Sequence, residues 1–462
     1  MCGILALIST TKYNSLQFLD FLKYLQHRGQ DSCGIAYKDL LDKNFIAHQK
    51  ANGLVKDFRD TCAVVYSSTF LGHTRYTTSG QRKNNTDSTN MIHPILESFQ
   101  GNTFAFVFNG NIPNLETKYS CDTEFITDFI KSRENKINFE SINNGDAFYR
   151  VLIEFINLVE RAYNIIFLYM GKVYIIRDSY GTRPIKIIKK NDGDIFLSSE
   201  DYFLESESIS NDDIEPGSIT IIDTETLEIT QKNIKTTRKA YCVFEYIYFM
   251  NEKTLVNNFL VKDTRVKMGN LLAESENIID TLEKNKNYIV SSIPNTSTVS
   301  AKVFASSLDV PYRQFIKKNK NVERTFIITD DNERQNYSKE KYIVDGEAIY
   351  QKDIILVDDS IVRGTTIKNL VKSIKKHSPK SIHIRVTSPP ITHTCSLGID
   401  IPTKKELIYN FYNNLEKLKE YLEVDSVKYL GLDDLKNIFT NKNNMCMGCI
   451  NGDYNIDKKL EW

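Results

Sequence analysis

The sequence predicts an α/β protein built in two successive parts, and three observations carry that prediction. Up to about residue 235, short runs rich in β-branched and aromatic residues follow one another with few helical stretches between them. From about 255 the order becomes strand, loop, helix, the alternation that builds a mostly parallel sheet with helices on its faces. The chain has 462 residues, and at roughly 150 residues per domain that is room for more than one core. The expected units are residues 2–235 and 240–462.

In the first unit, Phe104 to Phe108, Ile165 to Tyr169 and Val173 to Ile176 read as strands. Glu215-Pro216-Gly217-Ser218 is a turn leading into another, Ile219 to Ile222. The opening Met1-Cys2-Gly3-Ile4-Leu5-Ala6-Leu7-Ile8-Ser9 is apolar but short. It has no basic leading segment and no small-residue cleavage site, so it reads as a buried strand rather than a secretory signal. In the second unit, Tyr288-Ile289-Val290 precedes the loop Pro294-Asn295-Thr296-Ser297, and Ile354 to Val357 precedes Asp358-Asp359. Ile382 to Val386 is a third strand. Ile367, Leu370, Val371 and Ile374 form a helical stripe at i, i+3, i+4, i+7.

Bulk properties exclude several classes. The composition is 41% hydrophobic and 26% charged, ordinary for a globular protein. Lys plus Arg and Asp plus Glu are both 59, so nothing in the charge balance points to a nucleic acid or an anionic membrane. No apolar run approaches the roughly 18 residues of a spanning helix. A cytoplasmic protein with reduced thiols is therefore expected. In that setting its eight cysteines imply metal ligation or catalysis where they are specially placed, not a disulfide framework.

The most informative stretch is Ile354-Ile355-Leu356-Val357-Asp358-Asp359-Ser360-Ile361-Val362-Arg363-Gly364-Thr365-Thr366. An apolar strand ends in two carboxylates, and a loop of small residues then opens a helix. Backbone N–H groups from Ile361 to Thr366, with the helix N-terminus behind them, suit a phosphate dianion. Asp358 and Asp359 suit ribose hydroxyls, directly or through Mg²⁺. Aspartates also cap helices without binding anything. The full string is more specific than that, and it resembles the signature of type I phosphoribosyltransferases, in particular the glutamine-dependent amidophosphoribosyltransferase family.

That resemblance continues at Arg324-Thr325-Phe326-Ile327, Arg334, Lys341, Ser388-Pro389-Pro390 and Gly398-Ile399-Asp400. It implies that Asp358, Asp359, Ser360, Arg363, Gly364, Thr365 and Thr366 bind 5-phosphoribosyl 1-diphosphate. Lys318 would belong to a basic loop that closes over the diphosphate. It also implies Mg²⁺ at Thr296, Asp358 and Asp359. The family's diphosphate loop usually reads Pro-Asp-Ser-Gly, whereas this chain has Pro294-Asn295-Thr296-Ser297.

At the other end, Cys2 follows a methionine whose removal a small second residue permits. The freed α-amine, with an ordinary pKa of about 7.7–8.0, could take the thiol proton. Four further blocks resemble the N-terminal-nucleophile glutamine amidotransferases over the first 200 residues or so. They are Gln26-His27-Arg28-Gly29-Gln30-Asp31, Gly72-His73-Thr74-Arg75-Tyr76-Thr77-Thr78, Asn109-Gly110-Asn111 and Asp122-Thr123-Glu124. The resemblance implies an αββα glutaminase fold. Arg75, Thr78 and Asp122 would bind glutamine, Arg75 through its α-carboxylate and Asp122 through its α-ammonium. Asn109 and the Gly110 amide would make an oxyanion hole. Arg177 to Pro184 and Ser198-Ser199-Glu200 also match and read as scaffold.

Cys446-Met447-Gly448-Cys449 can supply two thiolates to a metal centre. The resemblance adds Cys242 and Cys395 and implies a structural [4Fe–4S] cluster, with zinc as the alternative. Cys33, Cys62 and Cys121 read as small buried or half-buried residues. Read whole, the chain is expected to move ammonia from glutamine to 5-phosphoribosyl 1-diphosphate, the first step of purine synthesis. A homotetramer is implied by the resemblance alone. The rival of a different class is a regulator that binds the phosphoribosyl ligand without turning it over. An amino-sugar synthase is excluded by the Asp358-Asp359 loop.

Overall fold

Along the strand Gly3–Asn14, Ile4, Ala6 and Ile8 face one way and Leu5 and Leu7 the other, and both sets are buried. A strand buried on both faces must lie inside a layered structure. It pairs antiparallel with Tyr66–Arg75 on one side and Ile195–Ser198 on the other. The computed structural model describes residues 1–40, 42, 44–76, 91–112, 119–134, 144–204, 208–276, 287–319, 341–395, 397–399, 401 and 403–454.

The resulting seven-stranded sheet runs in the order Ser208–Asp213, Lys186–Lys190, Ile195–Ser198, Gly3–Asn14, Tyr66–Arg75, Ser32–Lys38, Ile46–Asn52. A six-stranded antiparallel sheet faces it, ordered Ile229–Asn233, Ser218–Asp223, Lys172–Arg177, Ala162–Tyr169, Asn102–Asn111, Ile95–Phe99. Ile4, Ala6, Ile8 and Leu71 of the first sheet meet Ala105, Val107, Ile166 and Val173 of the second. On the outer face of the first, Leu5, Leu7 and Phe70 pack on Phe18, Leu19 and Leu22 of the helix Ser15–Leu22. On the outer face of the second, Phe104, Phe106 and Phe167 pack on Ile126, Phe148, Val151 and Phe155 of two helices. The layers are therefore helix, sheet, sheet, helix.

The second part is a four-stranded, wholly parallel sheet ordered Tyr288–Ser292, Asp353–Asp358, Ser381–Val386, Ser426–Tyr429. Ile354 and Leu356 point to one face, onto the predicted stripe Ile367, Leu370, Val371 and Ile374 of the helix Thr365–Lys375. Ile355 and Val357 point to the other, toward Phe304 and Ala301 of the helix Thr298–Ser307. Because the strands are parallel, their carboxyl ends share one edge. That edge is where open sheets of this kind bind ligands.

The tail of the chain returns to the junction between the parts. Tyr241–Cys242 pairs in parallel with Met445–Cys446, and the Cys242 N–H donates to the Thr182 carbonyl at 3.2 Å. No helix among the described residues is long and apolar enough to cross a membrane.

Candidate active sites

Register builds the first site. Ile4 lies opposite His73 and Gly3 opposite Thr74, so Cys2, His73 and Arg75 fall on the face that Ile4 shares. On the second sheet, Asn109 follows Val107 on its inward face. The apolar seam between the sheets thus ends at this edge in Cys2, His73, Arg75 and Asn109.

The Cys2 N–H donates to Asn109 Oδ1 at 3.2 Å, and the thiol lies 3.8 Å from the Tyr76 carbonyl. Asn109 is buried, and its Nδ2 has no hydrogen-bond partner among the described residues. A buried amide N–H left open beside a thiol is the donor that an oxyanion hole requires. Gly110 admits no side chain, since a Cβ there would stand 2.3 Å from the Ala162 carbonyl. Asp122 is buried at the start of the helix Asp122–Lys131 and accepts from the Ile112 N–H at 3.3 Å. Arg75 is half-buried, with Nη2 4.0 Å from Met91 Sδ. Thr78 lies outside the described residues, as do Arg324, Arg334 and Asp400.

The structure adds His73, which the motif reading quoted but gave no role. Burial raises the Cys2 thiol pKa, yet the neighbouring His73 outweighs it and brings the thiol down to about 6. The signal for it was present, since His73 precedes Arg75 by two residues and must share its face.

Arg28 supports this site from beneath. It is fully buried and donates from Nε to the Cys2 carbonyl at 3.1 Å, from Nη1 to Glu200 at 2.6 Å and from Nη2 to Glu245 at 3.1 Å. Burial disfavours the Glu200 charge, but His27 and Arg28 hold its carboxyl well below the usual range. Glu200 also accepts from the Asn251 N–H and the Thr254 hydroxyl, both at 2.8 Å.

The second site sits at the carboxyl edge of the parallel sheet. The strand Asp353–Asp358 delivers Asp358, whose Oδ1 accepts the Asp359 N–H at 3.0 Å, and the Ser360 hydroxyl donates to Asp359 at 2.8 Å. Gly364 caps the helix Thr365–Lys375 at φ 75°, a left-handed conformation natural to glycine. The first helix turn leaves its N–H groups without intrahelical partners, at the end where an anion is favoured. Burial pushes Asp359 up to about 6 against the pull of Ser360, Arg265, Lys341 and Lys318. Burial and the charge of Asp359 push Asp358 well above the carboxylate range. Lys318 closes the short strand Ile316–Lys318 instead of lying in a loop, and from there its charge reaches Asp359. Arg363 pairs with Glu406 at 3.2 Å. Thr296 is half-buried in the neighbouring loop, which follows the strand Tyr288–Ser292 directly.

The backbone of that loop bears on its departure from the family pattern. Ser297 stands at φ −77°, an ordinary right-handed conformation, with its hydroxyl donating to the Ile293 carbonyl at 2.5 Å. No left-handed backbone is required there.

The four singled-out cysteines come together at the junction. Cys242 lies beside Cys446 in the parallel pair, and Cys449 follows in the short helix Gly448–Asn451. Burial first, then Cys395, Cys242 and Cys446, raises the Cys449 thiol well above its ordinary value. All four are free, and Cys395 Sγ accepts the Leu397 N–H at 3.3 Å. Among the described residues, no group of three or more His, Cys, Asp or Glu side chains is drawn tightly enough around one point to hold a single ion. Cys33 and Cys62 are buried and Cys121 half-buried.

A thiol beside an open amide donor at one end, and paired carboxylates under a phosphate loop at the other, define a two-site transferase. Residues 271–390 match the phosphoribosyl transferase domain model. The chain is 32% identical over 450 residues to the amidophosphoribosyltransferase of Pyrococcus horikoshii, covering 94% of this chain and 92% of that one. It is 32% identical over 447 residues to the Homo sapiens amidophosphoribosyltransferase, covering 89% and 82%. The glutamine phosphoribosylpyrophosphate amidotransferase of B. subtilis, solved with ADP and GMP, superposes with a TM-score of 0.80 at 22% identity, over 100% and 98% of the two chains. This chain belongs to the amidophosphoribosyltransferase family.

Replacing Asn109 with alanine removes the open donor without disturbing the second site. Glutamine hydrolysis should fall by about 10²–10³ in kcat, while diphosphate release driven by added ammonia persists. Glutamate release from glutamine checks the first, and diphosphate release with an ammonium salt in place of glutamine checks the second.

Proposed function

We propose that this chain forms 5-phosphoribosylamine from glutamine and 5-phosphoribosyl 1-diphosphate, releasing glutamate and diphosphate, at the head of purine synthesis. Cys2 attacks the glutamine amide carbon. Asn109 Nδ2 and the Gly110 N–H receive the developing oxyanion, and Arg75 and Asp122 hold the α-carboxylate and α-ammonium of the substrate. Ammonia leaves, and water then frees glutamate from the thioester. At the second site, Asp358 and Asp359 orient the ribose hydroxyls, and the loop before Thr365 holds the 5-phosphate. Lys318 and Lys341 stand over the diphosphate. Ammonia displaces that diphosphate at C1 of the ribose.

One observation carries the reading. Tyr248, 47% exposed on the turn Glu245–Phe249, feels charges of both sites: burial first, then Asp359, Tyr76 and Asp358, raises its hydroxyl to about 12. Tyr76 is the residue whose carbonyl meets the Cys2 thiol. Tyr248 thus lies within electrostatic reach of Tyr76 and of the Asp358-Asp359 pair, and a path for ammonia past it would be short. Short travel out of bulk water keeps it unprotonated, the form that has a lone pair to attack with. The ordinary backbone of Ser297 favours this over the regulator reading.

Mg²⁺ held by Asp358 and Asp359, with Thr296 beside them, would supply positive charge for the departing diphosphate. Two crowded buried carboxylates suit a divalent cation. Cys242, Cys395, Cys446 and Cys449 would hold a [4Fe–4S] cluster. Each thiolate of such a cluster binds a different iron, so the ligands need not crowd around one point. Its role would be structural, joining the tail of the chain to the junction. The reading includes a reducing cytoplasm and a homo-oligomer, a tetramer by resemblance.

Glutamate and diphosphate release, each measured with and without the other substrate, tests the reaction. Equal and mutually dependent release, stopped by chelating Mg²⁺, is expected. Glutamine hydrolysis with no diphosphate released under any condition would overturn it. For the cluster, protein purified without oxygen should contain iron and acid-labile sulfide in equal amounts. Zinc alone, or no metal, would contradict that assignment.

A further inference from the structure

Arg183 belongs to the stretch that reads as scaffold, yet it is a buried cation with donors left open. Its side chain is fully buried, and Nη2 donates to the Leu397 carbonyl. Nε and Nη1 have no hydrogen-bond partner among the described residues. Glu245 does not supply one. It stands 3.6 Å from Nη1, beyond a hydrogen bond, and both its oxygens already accept from Arg28, at 3.1 and 3.2 Å. Open N–H groups on a buried cation cost free energy until an acceptor reaches them.

The cysteine group surrounds this guanidinium. Thr182, the residue before it, accepts the Cys242 N–H at 3.2 Å, and Cys242 pairs with Cys446. At the far end of the side chain, the Leu397 that accepts from Nη2 donates its own N–H to Cys395 Sγ at 3.3 Å. A Cβ on Gly398 would stand 2.9 Å from Nη2, so the chain beyond Cys395 lies directly against the fork. Burial disfavours the thiolates of Cys242 and Cys446, and the Arg183 charge acts against it at both. A [4Fe–4S] cluster on four cysteines is an anion whose sulfur atoms accept hydrogen bonds, and those bonds and nearby charges tune its potential. Two buried N–H groups without an acceptor fit such a group.

We propose that Arg183 is a positioning residue for the cluster: Nε and Nη1 donate to its sulfur atoms, and the guanidinium offsets part of its negative charge. The inference rests on the cluster reading above and deepens it. It also ties the cluster to the glutaminase half. Arg183 leads into the strand Lys186–Lys190 of the seven-stranded sheet and lies beside Glu245, which Arg28 links to the Cys2 carbonyl. Without the cluster, the junction holds a buried cation with open donors.

The test uses protein purified without oxygen, with iron and acid-labile sulfide measured first. Iron is then withdrawn by excess ferrous chelator while the visible absorption of the cluster is followed. The reduction potential is read by a titration monitored by EPR. Arg183→Met keeps much of the side-chain length but neither charge nor donors. It should lose its cluster about tenfold faster than the wild type, and its potential should be lower. Arg183→Lys keeps the charge without the fork, and both readings should fall between the other two. A merely structural role would loosen the cluster without moving the potential. An Arg183→Met protein with full iron and an unchanged potential would therefore overturn the inference and leave the cluster reading standing. Should Arg183→Met not fold, Arg183→Lys is read alone, and an unchanged loss rate and potential overturn it. Zinc alone, or no metal, in the wild type would overturn the cluster reading itself and the inference with it.

Discussion

The buried guanidinium of Arg28 is the contact on which the rest of the arrangement depends. Its five N–H groups form a rigid fork, and here the fork binds three things at once: the Cys2 carbonyl, Glu200 and Glu245. The first fixes the backbone of the nucleophile. The second ties the chain's opening to the end of the adjoining strand Ile195–Ser198. The third reaches across the junction into the π-helical turn Glu245–Phe249. Ionic groups this deeply buried gain little over an apolar core in net stability. Their value here is geometric, because a single side chain sets where the thiol stands relative to the second half of the molecule.

From Glu245 the turn leads within three residues to Tyr248, which lies within electrostatic reach of both Tyr76 and the Asp358-Asp359 pair. Arg183 adds a second tie. It lies 3.6 Å from Glu245 and donates to the Leu397 carbonyl, two residues beyond Cys395. The cysteine group, the thiol and the phosphoribosyl loop are thereby fastened to one buried charge network rather than to separate surfaces. A site that must pass ammonia from one centre to another needs this fixed spacing.

Much of this was legible beforehand, for reasons that differ by element. The helix stripe Ile367, Leu370, Val371 and Ile374 and the strand Ile354 to Val357 could be read because periodicity states which side is buried. The Asp358-Asp359 loop was legible because strand, carboxylates and helix start are contiguous. His73 was not assigned a role, since a lone histidine becomes meaningful only once register sets it against Cys2. Arg28, Glu200 and Glu245 are 172 and 217 residues apart along their hydrogen bonds, and nothing local announces such pairs. Ser297 is a case where sequence alone says little. Whether serine fits where the family has glycine depends on the backbone angle, and here that angle is right-handed.

The claim that Arg28 holds the thiol in place is best tested by comparing Arg28→Ala with the wild type in chemical denaturation and in glutamine hydrolysis. Removing one partner from a buried ionic network costs about 3–5 kcal/mol. The account therefore predicts a destabilisation of that order, together with loss of hydrolysis under conditions where the variant is still folded. Equal stability with unchanged glutamine hydrolysis would contradict it.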